Sequence, residues 1–276
     1  MEKIKIGIAI STFTEKDTDL KRYEIIEKSL RSLVDYLKNT KLNLFIIIVI
    51  DGNIPIKHQD VLQKIYEYSR INNLDNFNIH QREKNGGVAR TKNTSIRIIL
   101  DNNCDIGFLM DDDVLYKKDC FEKYVEAMIN GNIPHMGYCQ MNPIVNPKNT
   151  WKGRGFIEVD INGQKIMKHK GRGVGCLLSF TKELIEKIGY FKVMNGKYGY
   201  EHVNFTYRCI KQGFIPHGCD IIDSLEYIDH IGFQPKGINK FNKCHSISES
   251  NRKNENNKNK YDWDKNLTEY VKCIEN

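Results

Sequence analysis

No apolar run in this chain is long enough to cross a bilayer. The longest, Leu44 to Ile50, falls far short of the roughly 20 residues that a membrane helix needs. The opening Met1-Glu2-Lys3-Ile4-Lys5 alternates charge with Ile and lacks the apolar block and cleavage site of a signal peptide. Cys-x-x-Cys pairs are missing as well. The eight cysteines stand singly at 104, 120, 139, 176, 209, 219, 244 and 273, and a chain of 276 residues can bury a core without cross-links. Together these absences predict a reduced, cytoplasmic protein with no integral membrane segment. The Asn-x-Ser/Thr triplets at Asn93, Asn204 and Asn266 are then coincidences of an Asn-rich chain. No internal repeat is visible.

What is present is an ordinary globular mixture, 40% hydrophobic and 28% charged, which excludes a mostly disordered chain. The length admits one large domain or two small ones. Lys and Arg number 42 against 35 Asp and Glu, a net charge of +7. So mild a balance suits an enzyme of phosphorylated substrates and permits a nucleic-acid acceptor without demanding either.

Ile4, Ile6, Ile8 and Ile10 alternate through a strand over 3–10, with Gly7 and Ala9 on its other side. Ile26, Leu30, Leu33 and Leu37 recur at helical spacing over 23–37. The continuous run 44–50 has the pattern of a strand buried on both faces of a parallel sheet. A helix over 61–71, a short strand over 77–80, a helix over 88–100 and a strand over 106–110 follow. This β-α-β-α-β-α-β order predicts an open parallel sheet covered by helices. Ligands on such sheets sit beyond the carboxyl ends of the strands. Thr12, Asp51, the stretch Arg82 to Asn85, and Asp111 to Asp113 are therefore expected to converge on one edge.

The second half changes character. Asn162-Gly163 separates 156–161 from 164–169, a strong hairpin signal because both residues tolerate positive φ. Strands are expected over 175–180 and 221–229, helices over 182–188 and 202–212, and a short docking helix over 263–274. Residues 250–260 contain no apolar side chain and read as a mobile polar segment. The glycine cluster Gly171-Arg172-Gly173-Val174-Gly175 has the wrong spacing for a dinucleotide fingerprint and leads into a strand where that motif needs a helix.

The main chemical feature is Asp111-Asp112-Asp113 after an apolar strand. Adjacent carboxylates repel one another and disfavour a packed position unless cations neutralise them. Hard oxygen ligands suit Mg²⁺ or Mn²⁺, which keep substrate phosphate oxygens in their remaining positions. A solvated acidic turn satisfies the same pattern. Asp51-Gly52 is either a plain turn or a recognition carboxylate. Gly86-Gly87 either forms a tight turn or lets backbone N–H groups at the following helix start face a pyrophosphate. Arg90 and Lys92 sit in that helix's first turn against the macrodipole, which hints at an anionic partner.

These motifs, taken in order, resemble the GT-A fold nucleotide-sugar glycosyltransferases of family 2. Ile8-Ala9-Ile10-Ser11-Thr12-Phe13 is similar to the family's first strand and the turn that packs on the nucleoside. Ile48-Val49-Ile50-Asp51 is similar to its second, and Asn85-Gly86-Gly87-Val88-Ala89-Arg90 to its glycine and Ala-Arg helix start. Asp111-Asp112-Asp113 stands where the family carries Asp-x-Asp. Gly175 to Phe180 and Ile188 to Phe191 are similar to the segment lining the sugar site. Tyr198 to Arg208 resembles the stretch near the acceptor, and His230 takes the place of a histidine metal ligand.

The resemblance implies an α/β GT-A fold, a mostly parallel sheet flanked by helices with a hairpin-containing acceptor half. It implies one catalytic domain over 1–235, a nucleotide-binding half over 1–114 and an acceptor half over 115–235, followed by a tail over 236–276. Thr12, Phe13, Asp51, Asn85, Gly87, Arg90, Asp111 and Asp112 would then bind a nucleotide-sugar donor, by default a UDP-sugar. Asp111, Asp113 and His230 would hold Mn²⁺ or Mg²⁺. The family's catalytic base is an Asp where this chain has His202, so Glu201 and His202 both stand as catalytic candidates. Lys148, Lys152, Arg154, Lys165, Lys168, Lys170 and Arg172 surround the hairpin and form either a solvated surface or a groove for an anionic acceptor. Glycan, lipid-linked group, protein and modified nucleic acid all remain as acceptor classes. Two rivals are a nucleotidyltransferase, whose Gly-rich loop is missing from Ser11 to Lys16, and an inactive nucleotide-sugar-binding module.

Overall fold

Period-two alternation and 3.6-residue periodicity, read in turn along the first half, build one sheet with helices on both faces. The computed structural model describes residues 4–15, 18, 20–74, 77–139, 157–169, 175–193, 199–232 and 270–272. Its first half runs β1 (Lys5–Thr12), α1 (Leu20–Leu37), β2 (Asn43–Ile50), α2 (Ile56–Ile71), β3 (Phe77–Arg82), α3 (Val88–Asp101) and β4 (Ile106–Asp111). After it come β5 (Val114–Tyr116), α4 (Cys120–Asn130), β6 (His135–Gly137), β7 (Ile157–Ile161) and β8 (Gln164–His169). The last described elements are β9 (Leu177–Thr181), α5 (Lys182–Ile188), α6 (Glu201–Lys211), β10 (Gly218–Ile221), α7 (Ser224–Tyr227), β11 (Ile228–His230) and β12 (Tyr270–Lys272).

The main sheet has seven strands in the order β12-β3-β2-β1-β4-β9-β6. β3, β2, β1 and β4 are mutually parallel, whereas β12 and β9 run antiparallel to their neighbours. Right-handed crossovers place α1 and α2 over one face and send α3 to the other, because the strand order reverses after β3. Small residues on β1 let α3 come close: a Cβ on Gly7 would lie 2.8 Å from the Ile99 side chain. The opposite face carries Ile6, Ile8 and Ile10, packed in one core with Ile26, Leu30, Leu33 and Val34 of α1. This is the α/β, mostly parallel architecture expected from the sequence.

Register then lines up the chemistry. Thr12 pairs with Ile50 across β1–β2, and Ser11 with Asp111 across β1–β4. The Asp51 N–H donates to the Thr12 carbonyl at 3.1 Å, so the ends of three adjacent strands stand level. β1 and β4 flank the point where strand order reverses, the usual place for a ligand crevice in such sheets.

The hairpin forms where it was expected. Asn162 and Gly163 have φ of 52° and 82°, and β7–β8 joins β10 in a three-stranded sheet. Of the basic residues around it, Lys165 and Lys168 are among those described, and Lys165 pairs with Glu158 at 3.4 Å. Lys148, Lys152, Arg154, Lys170, Arg172 and the segment 250–260 lie outside the described residues.

Two expectations need correction, and one stretch without an expected element gains three. Residues 221–229 are not one strand: β10 ends at Ile221, Asp223 takes a left-handed φ of 56°, and the one-turn α7 intervenes before β11. Residues 114–137, left unassigned from the sequence, form β5, α4 and β6. α4 buries Phe121, Tyr124, Val125 and Met128, spaced for one helix face. Over 263–274 the described residues 270–272 form a strand, not a helix, antiparallel to β3. The physical reason is the edge of β3, whose free N–H and C=O groups are a template for another strand. No helix among the described residues is long and apolar enough to cross a membrane.

Gly107 of β4 sits opposite Phe180 of β9, and a Cβ there would fall 2.1 Å from the Phe180 ring. Gly107→Ala is expected to overpack this layer and cost about 2 kcal/mol. A urea midpoint equal to that of the wild type would contradict this packing.

Candidate active site

Beyond the aligned strand ends lies a cleft of about 400 Å³, lined by Ser11, Thr12, Phe13, Glu15, Arg22, Asp51, Asn85, Gly87, Val88, Thr91 and Asp111 to Asp113. Every expected donor residue lines it except Arg90. Arg90 is half-buried outside this lining, its stem near Gly86, where a Cβ would meet Cδ at 2.5 Å.

Asp51 organises the cleft wall. Its Oδ1 accepts from Arg82 Nη1 at 2.5 Å and from the Gly86 N–H at 3.0 Å, while Oδ2 accepts from the Gly87 N–H at 2.8 Å. The two glycine N–H groups therefore serve Asp51. A carboxylate offers about four lone-pair sites, so one remains for a ligand donor. Glycine is required at two points here. Gly52 has φ 85° and a Cβ on it would lie 2.3 Å from the Asn85 nitrogen. Gly87 has φ 84° and ψ 175°, a conformation essentially closed to other residues.

The three adjacent carboxylates meet three different fates. Asp112 is buried and accepts from Thr12 Oγ1 and from the Arg22 guanidinium of α1. Burial pushes its carboxyl above the ordinary range, although Arg22 opposes the shift. Thr12 Oγ1 also lies 2.9 Å from His58 Nε2. A hydroxyl has one proton and gives it to Asp112, so His58 carries its own proton on Nε2. Burial keeps that ring neutral, its pKa lowered to about 4.

Asp113 faces His230, with Nε2 3.3 Å from Oδ1. The antiparallel β5–β11 ribbon sets this pair, because His230 sits opposite Val114 and the Ile231 N–H donates to the Asp113 carbonyl. Burial works to raise the Asp113 pKa, but His230 outweighs it and holds the carboxyl low. Burial works to lower His230, yet the Asp113 carboxylate lifts it above the usual imidazole range. Gly232 leaves both groups open to one another, since a Cβ there would lie 2.7 Å from Asp113 Oδ2 and 2.8 Å from His230 Nε2.

Asp111 is half-exposed and lies 3.3 Å from Lys92 Nζ. Lys92 itself is buried in α3 and donates to the Gly175 carbonyl at 2.6 Å. The anionic partner that its awkward helix position hinted at is thus in the chain. Arg22 is the site cation that the sequence does not announce, whereas Lys92 is singled out by its helix position. Arg22 carried no motif, since a single Arg on an amphipathic helix has no sequence mark of its fold neighbour.

Asp113 and His230 fit a hard divalent cation. Asp113 Oδ1 is buried and makes no hydrogen bond of regular geometry, its contact being the His230 ring at 3.3 Å, and the imidazole and carboxylate converge beside a glycine. Among the described residues no group of three or more His, Cys, Asp or Glu side chains forms a ready-made cage. Two protein ligands suffice for ions that keep substrate oxygens in the other positions.

The acceptor half meets the donor half through α6, whose residues are not among those lining the cleft. Glu201 is its first residue, buried at 5% exposure, and His202 follows with Nδ1 3.4 Å from Glu201 Oε1. Burial opposes ionisation of Glu201, but the His202 ring and then Lys92 overcome it and lower the pKa to about 2. The same seam is pinned twice more. Asn93 makes a reciprocal pair with the Phe191 backbone, and Arg208 donates to the Ile188 and Tyr190 carbonyls.

Comparison with known proteins bears on the family and the fold. The family model described as Glycosyl transferase family 2 matches residues 8–189. An uncharacterized glycosyltransferase of Acanthamoeba polyphaga mimivirus is 35% identical over 276 residues, covering 99% of this chain and 96% of the relative. Among solved structures, TarS 1–349 of S. aureus in complex with UDP-GlcNAc superposes with a TM-score of 0.54 at 13% identity. That match covers 84% of this chain and 60% of the TarS chain. The complex of TarS 1–349 with UDP gives 0.53 at 16% identity, over 80% of this chain and 58% of that one. These likenesses show the GT-A fold.

Removing the Asp51 carboxylate takes one partner from the Arg82 guanidinium and from two backbone donors. Asp51→Ala is expected to cost about 3 kcal/mol and to speed hydrogen exchange at Gly86 and Gly87 ahead of the β1 amides. Unchanged exchange at those two amides would show that the carboxylate does not hold the loop.

Proposed function

Because the chain belongs to glycosyl transferase family 2, we propose that its cleft binds a UDP-sugar with a divalent cation and transfers the sugar to an acceptor hydroxyl. The transferase activity and the nucleotide-sugar donor follow from the family; the uracil base and the cation are the proposal. The observation that carries it is the convergence of Phe13, Asp51 and the acidic triplet on one cleft at the carboxyl ends of β1, β2 and β4, with His230 against Asp113. The TarS complexes, which hold UDP and UDP-GlcNAc, support uridine as the base.

Each residue has a part that its geometry suits. Phe13 stands half-buried at the cleft and presents a ring to the base. The unused lone pair of Asp51 accepts the N–H of the uracil ring. Asn85 lines the same cleft, and its buried Oδ1, which has no hydrogen-bond partner, is a further acceptor for the donor. Arg22 and Lys92 bring positive charge to a wall that otherwise repels a diphosphate. Mn²⁺ or Mg²⁺, held by Asp113 and His230 with Asp111 beside them, would offset the negative charge that develops on the leaving diphosphate. Thr12 and Asp112 keep the strand end rigid beneath it. Glu201 and His202 stand at the acceptor side, across Lys92 from Asp111.

A thermal-shift experiment on the whole chain tests the reading. UDP and UDP-GlcNAc are expected to raise the unfolding temperature by a few degrees, and more so with Mn²⁺ present. Asp113→Asn and His230→Ala are expected to lose the metal-dependent part alone. A nucleotide shift indifferent to Mn²⁺ would remove the cation from the proposal, and the lack of any shift with UDP would remove the base assignment.

A further inference from the structure

We propose that His202 takes the acceptor's proton through Nε2 and that Glu201 is its positioning carboxylate; this assignment rests on the transfer reading above. Glu201 Oε1 is a carboxylate oxygen that can only accept, so the contact at 3.4 Å requires the proton on His202 Nδ1. In the neutral ring the lone pair then resides on Nε2. Exposure separates the two roles. The Glu201 side chain is 7% exposed and the His202 side chain 23%, so the imidazole is the partner that an incoming hydroxyl reaches.

Charge points the same way. Glu201 is held ionised, with its pKa lowered to about 2 by the His202 ring and Lys92 in spite of burial. A carboxylate that acidic is a weak proton acceptor at neutral pH, yet it is well suited to stabilise an imidazolium beside it. Among the described residues, the charged groups linked to the ring are Glu201 on α6 itself, Lys92 on α3, which acts on Glu201, and Asp111 at the end of β4, which pairs with Lys92.

The ring is also registered against the donor side. It packs on Gly175, where a Cβ would fall 2.9 Å from Nδ1 and 3.2 Å from Cε1. The Gly175 carbonyl receives Lys92 Nζ at 2.6 Å, and the next carbonyl, of Cys176, receives the Asp111 N–H at 3.1 Å. One backbone segment thus fixes both the imidazole and the first donor-side carboxylate. In the step itself, the acceptor oxygen bonds to the anomeric carbon while the bond from that carbon to the diphosphate oxygen breaks. The bonding pair leaves on the diphosphate, and the acceptor's proton moves to His202 Nε2.

Two measurements on the full chain decide the assignment. Long-range nitrogen–proton correlation spectra are expected to show His202 as the Nδ1–H tautomer in the wild type, with that preference lost in Glu201→Gln. An Nε2–H tautomer would overturn the proposal whatever the donor. The second measurement is the pH profile of UDP-GlcNAc hydrolysis with Mn²⁺, water serving as acceptor. His202→Ala is expected to lose about 100-fold in rate, together with the acid limb, while UDP affinity stays within about twofold; His202→Gln replaces it if the Ala variant does not fold. Glu201→Gln leaves the imidazole in place, so its acid limb persists. If Glu201→Gln abolishes the limb and His202→Ala keeps it, Glu201 is the base and the proposal fails. Absence of hydrolysis by the wild type while UDP still binds would count against the donor reading instead, and the tautomer alone would then decide the dyad.

Discussion

Three adjacent carboxylates at one strand end repel one another unless each finds a partner or water, and this constraint organises the molecule around residues 111–113. Lys92 comes from α3, Arg22 from α1 and His230 from β11, one to each of Asp111, Asp112 and Asp113. Both faces of the sheet and the small β5–β11 ribbon must be in place before the triplet is neutralised. Self-repulsion of the acidic turn therefore acts as an assembly requirement, and folding is what meets it. The three pairs also differ in exposure. Asp112 is sealed inside, Asp113 is mostly buried, and Asp111 is open to solvent. A ligand arriving at the cleft meets a rim whose charges are already paired in graded depth.

Lys92 extends that logic into the second half of the chain. Its ammonium joins the donor-side carboxylate Asp111, the carbonyl of Gly175 and the field felt by Glu201. A lysine with so little exposure is stable only because these partners replace its water. Asn93, one residue on, and Arg208 of α6 satisfy the backbone of residues 188–191 from two sides. The seam between the two halves is thus fixed by polar contacts as well as by the buried Phe191–Phe205 stack. That suits a transferase, in which donor and acceptor have to meet at one fixed distance.

Much of the first half is visible in the sequence because its signals are local. Alternating Ile residues mark β1, the β-branched run marks β2, and helical spacing marks α1, each a consequence of burying one face of a repeating element. Asn162-Gly163 marks its hairpin through φ alone. Other elements escape for physical reasons. β12 exists because the edge of β3 is open, which is a property of the sheet and not of residues 270–272. β10, α7 and β11 occupy a stretch whose apolar pattern suits one strand, until Asp223 turns the chain.

The chain's own order of residues determines which chemistry is available: a carboxylate after each of two strands, a glycine pair before a helix, an acidic triplet, and a Glu-His step at a helix start. Those choices are covalent and can be read in line. Tertiary structure alone decides which partner each group meets. It assigns Arg22 to Asp112 across 90 residues and Lys92 to Gly175 across 83. It also turns the Gly86 and Gly87 N–H groups toward Asp51. The reason is that charge pairing and hydrogen bonding depend on distances of a few ångströms in space, and separation along the chain carries no record of them until the sheet has brought its strand ends level.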